Sequence, residues 1–472
     1  MIVNRNGGLA SVLAVSLAFA GVWPGGEARS ESLADALVMA YNASPELVSG
    51  RANIKALGEV AVQAAAQGRV QVQGTINLTT QLRSLTPLGN FQRLNRFVFP
   101  TTMQLDVTQP LYTGGQIENA TEAAETRITA EEARLIATEQ SVLLNTVIAY
   151  LDVRRDQTLV SLGRNNVRVI KEQLRAARER FDVGEVTRTD VAQAEARLAA
   201  ARSLLAATQG QLAASKEAYR RLVGQYPGKL QPPPPLPDLP DSIDAAIKIA
   251  QSDEPSIRAA RLDRLAASSD VRSAIGSLLP QISLLGQVTK TDTINVDEDS
   301  QTAASVGVQV VIPFYSGGAN YSQIRQAQAV AEGADAAITL AIKNVRQQVG
   351  VAWSDLNVAR ASIRAGKLEV RAANIAFDGV KEEAKVGART TLDVLDAEQE
   401  LLDARGSLVT ARRDEYVAAY NLLFSVGKLT TGHLGLDVGD VPSVSEYYAS
   451  VKDRNFGYDQ TDDTVWSLSY RP

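Results

Sequence analysis

The chain of 472 residues contains no cysteine. That absence removes disulfides, thiolate nucleophiles and cysteine metal sites together. It also removes acylation of an N-terminal cysteine after export, so the chain is not a bacterial lipoprotein. Only one histidine is present, His433, and a metal site or histidine-assisted nucleophile would rest on it alone. It lies in a polar C-terminal stretch that favours a solvated side chain. No phosphate-binding loop and no G-x-S-x-G elbow occurs. The sequence therefore gives no sign of an enzyme and implies no cofactor. Aromatic residues are scarce, at 5%, which suits long helices better than ordinary globules. The net charge of −5, with both signs interspersed, excludes an electrostatic footprint for nucleic acid.

Long apolar runs are lacking too. No stretch approaches the ~20 consecutive apolar residues of a spanning helix. The N-terminal run over residues 9–20 follows Arg5 and ends in Ala18-Phe-Ala20. This is the pattern of a secretory signal, residues 1–29, with the cut between about 20 and 30. A transmembrane anchor is the weaker alternative, because the run is too short.

What the sequence does have is an internal duplication. Val386-Gly-Ala-Arg-Thr-Thr-Leu-Asp-Val-Leu-Asp-Ala-Glu398 reads as a tight turn between two helices. Thr390 and Asp393 have capping-box spacing, so the second helix should start at Thr390. Val183-Gly-Glu-Val-Thr-Arg-Thr-Asp-Val191 is its earlier copy. Gly184, Thr187 and Asp190 recur 203 residues later as Gly387, Thr390 and Asp393. The repeats are 30–230 and 242–428, joined by a stiff proline-rich linker at 231–241. Residues 429–472 lose the periodicity and are expected to form an irregular, loosely attached tail.

Each repeat should open with two short helices, the second carrying proline in its first turn (Pro45, Pro255). Period-two alternation then marks a strand pair: Val70, Val72, Ile76 and Leu78 with Met103, Leu105 and Val107, then Ile282, Leu284 and Val288 with Val306, Val308 and Val310. The predicted hairpins, 69–112 and 281–314, enclose polar loops at 84–96 and 292–301. Pro110 and Pro313 should end the strands, and the pairs Gly114, Gly115 and Gly317, Gly318 should turn the chain into helix. From Gln116 to Phe181 nothing breaks a helix of about 66 residues, roughly 100 Å long. A returning helix of about 36 residues is shorter, and the helix after Pro45 has the length to fill the gap end to end. In all, the long coiled-coil helices occupy 116–224 and 319–427. Val191, Leu198, Leu205, Leu212 and Tyr219 form a heptad seam, with Ala194, Ala201, Thr208 and Ser215 beside it. Leu395, Leu402, Val409, Tyr416 and Leu423 should do the same in the second repeat.

Four alternating strands of about ten residues match transmembrane β-strands. The alternative is a small soluble sheet packed on the helices. Four strands cannot close a barrel in lipid, so closure requires several copies of the chain.

The duplicated plan resembles the TolC-like outer-membrane factor family. The residues that carry the resemblance are Gln109-Pro-Leu-Tyr-Thr-Gly-Gly115, Pro313-Phe-Tyr-Ser-Gly-Gly318, Phe181-x-Val-Gly and the 386–397 stretch. The resemblance implies a mainly α fold with a transmembrane β-barrel. It further implies a homotrimer in which 12 strands in the outer membrane continue into a long periplasmic α-helical barrel. It implies an exit duct for efflux or type I protein secretion, working with a periplasmic adaptor and an inner-membrane transporter, either ABC-type or proton-driven. Outer-membrane lipid would surround the barrel. The missing lipidated cysteine leans towards the secretion-type branch. The alternative from another class is a periplasmic coiled-coil scaffold or adaptor without a pore, which would not need the strands.

By the same resemblance, Asp393 and Asp396 match aspartates lining the constricted periplasmic entrance, and Arg389 an arginine that helps hold it closed. Asp393 also has a cap to make, and the lesser alternative for Arg389 is a solvated loop charge. Asp396 maps to Gln193, so no duplicated structural role explains it. Where the family often has a tyrosine, three residues before Gly387, this chain has Ala384.

Overall fold

A computed structural model describes residues 30–85, 94–294, 300–439 and 444–454; the expected leader lies outside them. The first half runs β1 (Ser30–Glu31), α1 (Leu33–Ala43), α2 (Pro45–Ala66), β2 (Gln71–Leu78), β3 (Gln81–Leu85), β4 (Leu94–Tyr112), α3 (Gln116–Asp182) and α4 (Arg188–Val223). The second runs β5 (Lys229–Leu230), α5 (Ile243–Asp253), α6 (Pro255–Gly276), β6 (Gln281–Ile294), β7 (Ser300–Val311), α7 (Ala319–Lys385) and α8 (Thr391–Ser425), followed by α9 (Val444–Val451).

The long helices α3 and α7 are each 67 residues, roughly 100 Å. Both begin after a glycine in the left-handed conformation, Gly115 at φ 80° and Gly318 at φ 84°. Gly163 of α3 and Gly366 of α7 stand at equivalent points in the two helices, although glycine costs about 1 kcal/mol in a helix interior. Both face the returning helix. A Cβ on Gly163 would lie 3.3 Å from Leu205, and one on Gly366 would lie 3.5 Å from Leu408. The returning helix therefore comes close at the same point in both repeats.

In the first repeat Leu198 and Tyr219 of the heptad seam are buried, whereas Val191, Leu205 and Leu212 are half-buried beside the small residues. Ala194, Leu198 and Ala201 pack against Ile170 and Leu174, and Tyr219 is fully buried. In the second repeat the expected stripe is displaced. Leu401, Ala404 and Leu408 are the buried positions, whereas Leu402, Val409 and Tyr416 are only half-buried. Leu395 joins the cluster on α3 and α4 instead. The reason is that α8 is sandwiched, touching both α7 and α3, so it carries two apolar stripes rather than one.

The short helices fill the gaps left by the returning ones. Gly427, at φ 75°, lies against the Asp253–Glu254 backbone, and Lys428 pairs with Asp253 at 2.6 Å. Ile54 and Ala61 of α2 pack on Ala124 and Ile128 of α3. Helix α6 touches both α3 and α7. The linker is held in place as well as stiff. The Gln231 N–H donates to Glu31 O at 2.9 Å, and the hydroxyls of Tyr150 and Tyr416 donate to Gln231 O and Pro234 O at 2.8 and 3.0 Å.

The sheet order is β2-β4-β6-β7, with β3 also paired to β4. Two expectations change. Strand β4 spans 19 residues, and its pairing with β3 reaches Leu85↔Leu94, so strand extends into both ends of the expected 84–96 loop, as β6 and β7, paired to Asp292↔Ser300, extend into the expected 292–301 loop. Pro110 does not end β4 either. It pairs with Ser283, and the register shifts between Pro110 and Tyr112, a bulge that lets a residue without an N–H stay in the ladder. Pro313 does follow the end of β7.

One face of the sheet carries Val72, Ile76, Met103, Leu105, Val288 and Val306, all exposed. The opposite face carries Gln73, Asp106, Gln287 and Ser305. There the amides of Gln104 and Gln287 donate to Asp106 at 2.8 and 3.0 Å.

Over residues 429–439 and 444–454 the tail is neither wholly irregular nor loose. Leu429 is fully buried, and α9 packs on α2, with Tyr447 donating to Glu59 and Tyr448 to Glu125, each at 2.7 Å. Arg69 donates to the Lys452 carbonyl at 2.6 Å. The rings of Tyr447 and Tyr448 both lie over Gly58 of α2.

Candidate functional site

The turns that join α3 to α4 and α7 to α8 are built alike. Gly184 sits at φ 81° and Gly387 at φ 78°. The Glu185 N–H donates back to Arg180 O, and the Ala388 N–H to Glu383 O, both at 2.9 Å. This is the Schellman closure, which requires a residue in the left-handed region. A Cβ on either glycine would meet nothing within 4 Å, so the backbone conformation selects glycine there, and space does not.

Both returning helices start with a reciprocal capping box. Asp190 accepts from the Thr187 N–H and hydroxyl at 2.8 and 2.8 Å. Asp393 accepts from those of Thr390 at 2.9 and 2.9 Å. In return the Asp393 N–H donates to the Thr390 hydroxyl at 3.2 Å. The bonds from Thr390 hold the Asp393 carboxyl below its usual range, and nearby Arg389 adds to the effect. Arg389 itself reaches back across the turn to Glu383 at 2.9 Å, which stabilises its charged form.

Asp396 lies one turn further along and is engaged differently. Its carboxylate pairs with Arg197 of α4. The ion pair joins the α8 turn of one repeat to the α4 turn of the other, so Gly184, Asp190, Gly387, Arg389, Asp393 and Asp396 share one end of the molecule. Pro110, Gly114, Gly115, Pro313, Gly317 and Gly318 lie at the other end of the 67-residue helices.

A carboxylate that motif reading missed lies between the helices. Glu398 is buried at 6% exposure. Burial pushes its carboxyl up, and Arg405, Lys381 and Arg168 oppose that shift. Its repeat mate Glu195 is exposed and pairs with Arg178. The sequences around the two are alike, so only the interior position of α8 distinguishes them. Among the described residues no cluster of acidic or histidine side chains could hold a metal ion, and His433 is exposed.

Residues 36–225 and 246–428 match the outer membrane efflux protein family. The chain is 38% identical over 437 residues to the outer membrane efflux protein BepC of Brucella suis, covering 92% of this chain and 94% of BepC. It is 28% identical over 341 residues to the outer membrane protein TolC of Salmonella enteritidis, covering 70% of this chain and 69% of that protein. Its fold matches the crystal structure of the Campylobacter jejuni CmeC outer membrane channel with a TM-score of 0.75, at 16% identity, over 89% of each chain.

Proposed function

Because this chain belongs to the outer membrane efflux protein family, we propose that three copies of it close a 12-stranded barrel above one continuous helical duct. The chain is an outer-membrane exit duct for tripartite efflux or secretion. The observation that carries the trimer is the sheet. It has one exposed apolar face, one polar face and two open edges, and it sits atop two helices of 67 residues. An open edge in lipid leaves backbone groups unpaired, and three copies of a four-stranded sheet remove every edge. In this arrangement Val72, Leu105, Val288 and Val306 face lipid, and Asp106 and Gln287 face the lumen. A coiled-coil scaffold without a pore has no use for such a sheet.

The helical end forms the periplasmic entrance, where an adaptor and an inner-membrane transporter, ABC-type or proton-driven, engage the duct. Three copies place Asp393 and Asp396 as six carboxylates around one axis, and acidic rings favour cations at a constriction. Arg197 holds Asp396 in the closed arrangement, alongside the Arg389 contact across the turn. Opening separates these helix ends around Gly184 and Gly387. The test is single-channel current in planar bilayers with a trivalent cation added to one side at a time. Block from the helical side that is weakened in the Asp393→Ala, Asp396→Ala double variant supports the entrance. Unchanged block and selectivity would remove both residues from it.

A further inference from the structure

We propose that the seam between copies of this chain lacks the ion pairs that tie the equivalent seam inside each copy, and that this difference decides which helix meets which. The inference rests on the trimer proposed above and goes on to its recognition code.

The duplication supplies the template. Positions in β4 and α3 recur 203 residues later in β7 and α7, and positions in α2 and β2 recur 210 residues later in α6 and β6. The mapping holds in the sheet, where Gln71↔Thr108 of the first hairpin becomes Gln281↔Val311 of the second. Within one copy, α6 and β6 occupy the flank of α3 and β4. The repeat-equivalent flank of α7 and β7 is open, and β7 and β2 are the two sheet edges among the described residues. The glycines mark the difference. A Cβ on Gly114 would come within 2.5 Å of Gly276 O, whereas one on Gly317, with a similar left-handed backbone, meets nothing within 4 Å. Ala130 is fully buried, while a Cβ on its counterpart Gly333 also meets nothing within 4 Å. The open flank is therefore shaped for α2 and β2 of a second copy. Leu105↔Val288 and Val107↔Gly286 of the inner seam become Val308 opposite Leu78 and Val310 opposite Ile76 between copies.

The side chains of the two seams differ in kind. Three ion pairs tie α3 to α6: Arg127–Asp270, Arg134–Asp263 and Arg272–Glu122. Their counterparts between copies are Val330 with Val60, Ala337 with Asn53, and Arg325 with Val62. Val60 and Val330 are 49% and 59% exposed in one copy. Exchanging the partners places Arg127 and Arg134 against Val60 and Asn53, and Arg272 against Arg325. Charges would then lose their partners, and two like charges would face each other. That mismatch discriminates more strongly than the exposed pairs stabilise. Copies therefore join α2 to α7 and do not displace α6 from α3.

Cysteine pairs can be read without background, because the chain has none. In mild detergent with a short thiol crosslinker, V60C/V330C should give covalent dimers and trimers on a denaturing gel. R127C/D270C should crosslink within one chain and leave only monomer. V60D should lose most of the trimer by native mass, and V60D/V330R should regain it in a salt-sensitive form. A wild-type trimer in which V60C/V330C gives no ladder, or in which V60D assembles normally, overturns the seam. A wild-type protein that is not a trimer overturns the assembly reading itself, and the seam with it.

Discussion

Asp393 and Asp396 share a helix face, yet their predicted responses to mutation differ because their partners differ. Thr390 is the cap and Asp393 its reciprocal partner, so Thr390→Ala should cost about 0.5–2 kcal/mol at the start of α8, and Asp393→Ala should loosen the same turn. Hydrogen exchange of the amides over 391–395 checks this, and Asp190→Ala should show the same loosening in α4. Because the Asp393 carboxyl is held below 3.8, its contribution is present above that pH and is lost as pH falls through the folded-state value. Asp396→Ala should leave the cap intact, weaken trivalent block and release Arg197. Glu398 has the opposite sign. Its carboxyl is raised above 4.5 by burial, so stability is full below that pH and declines as pH rises through the folded-state value. Glu398→Gln should flatten that decline in thermal melts, and a variant that melts in parallel with wild type across the window would contradict it. The capping boxes were legible in sequence because their spacing is local. The Arg197–Asp396 pair was not, since it joins residues 199 apart.

Elements show a similar division. Helices of 67 residues were legible because no proline interrupts them and paired glycines bound them. The α8 seam was misplaced by one position because a helix buried on two sides presents two overlapping stripes. Strand β4 was read too short because polar residues at its upper end break the alternation that marks a half-buried strand. The mid-helix pair Gly163 and Gly366 carried a signal in its 203-residue spacing that the motif reading did not use. Gly366→Leu should push α8 away from α7 at Leu408, at a cost of about 1–3 kcal/mol from overpacking. A lower melting temperature, with little change when the leucine is placed at the open Gly379, is the expected result. The α9 strap makes a further prediction. Tyr447→Ala with Tyr448→Ala should release α9 from α2 and speed proteolysis of the tail, leaving the long helices protected. Equal proteolysis of wild type would mean that the strap does not hold in solution.

For the whole molecule, the expected mass in mild detergent is that of three chains, and a monomer with native helicity would sink the barrel. Epitopes inserted at Gly89 or Asp297, both outside the described residues, should be labelled on intact cells. Labelling only after the outer membrane is breached would reverse the orientation. The equality of α3 and α7, 67 residues each, has a consequence for how such a molecule can change over time. A single inserted heptad would lengthen one helix by about 10 Å. It would carry Gly184 past Gly387 and separate Arg197 from Asp396. Reach is therefore inherited as a matched quantity. It can grow or shrink only when the outgoing and returning helices of both repeats change together, so a lone insertion in either long helix is a dead end even where the sequence around it would tolerate one.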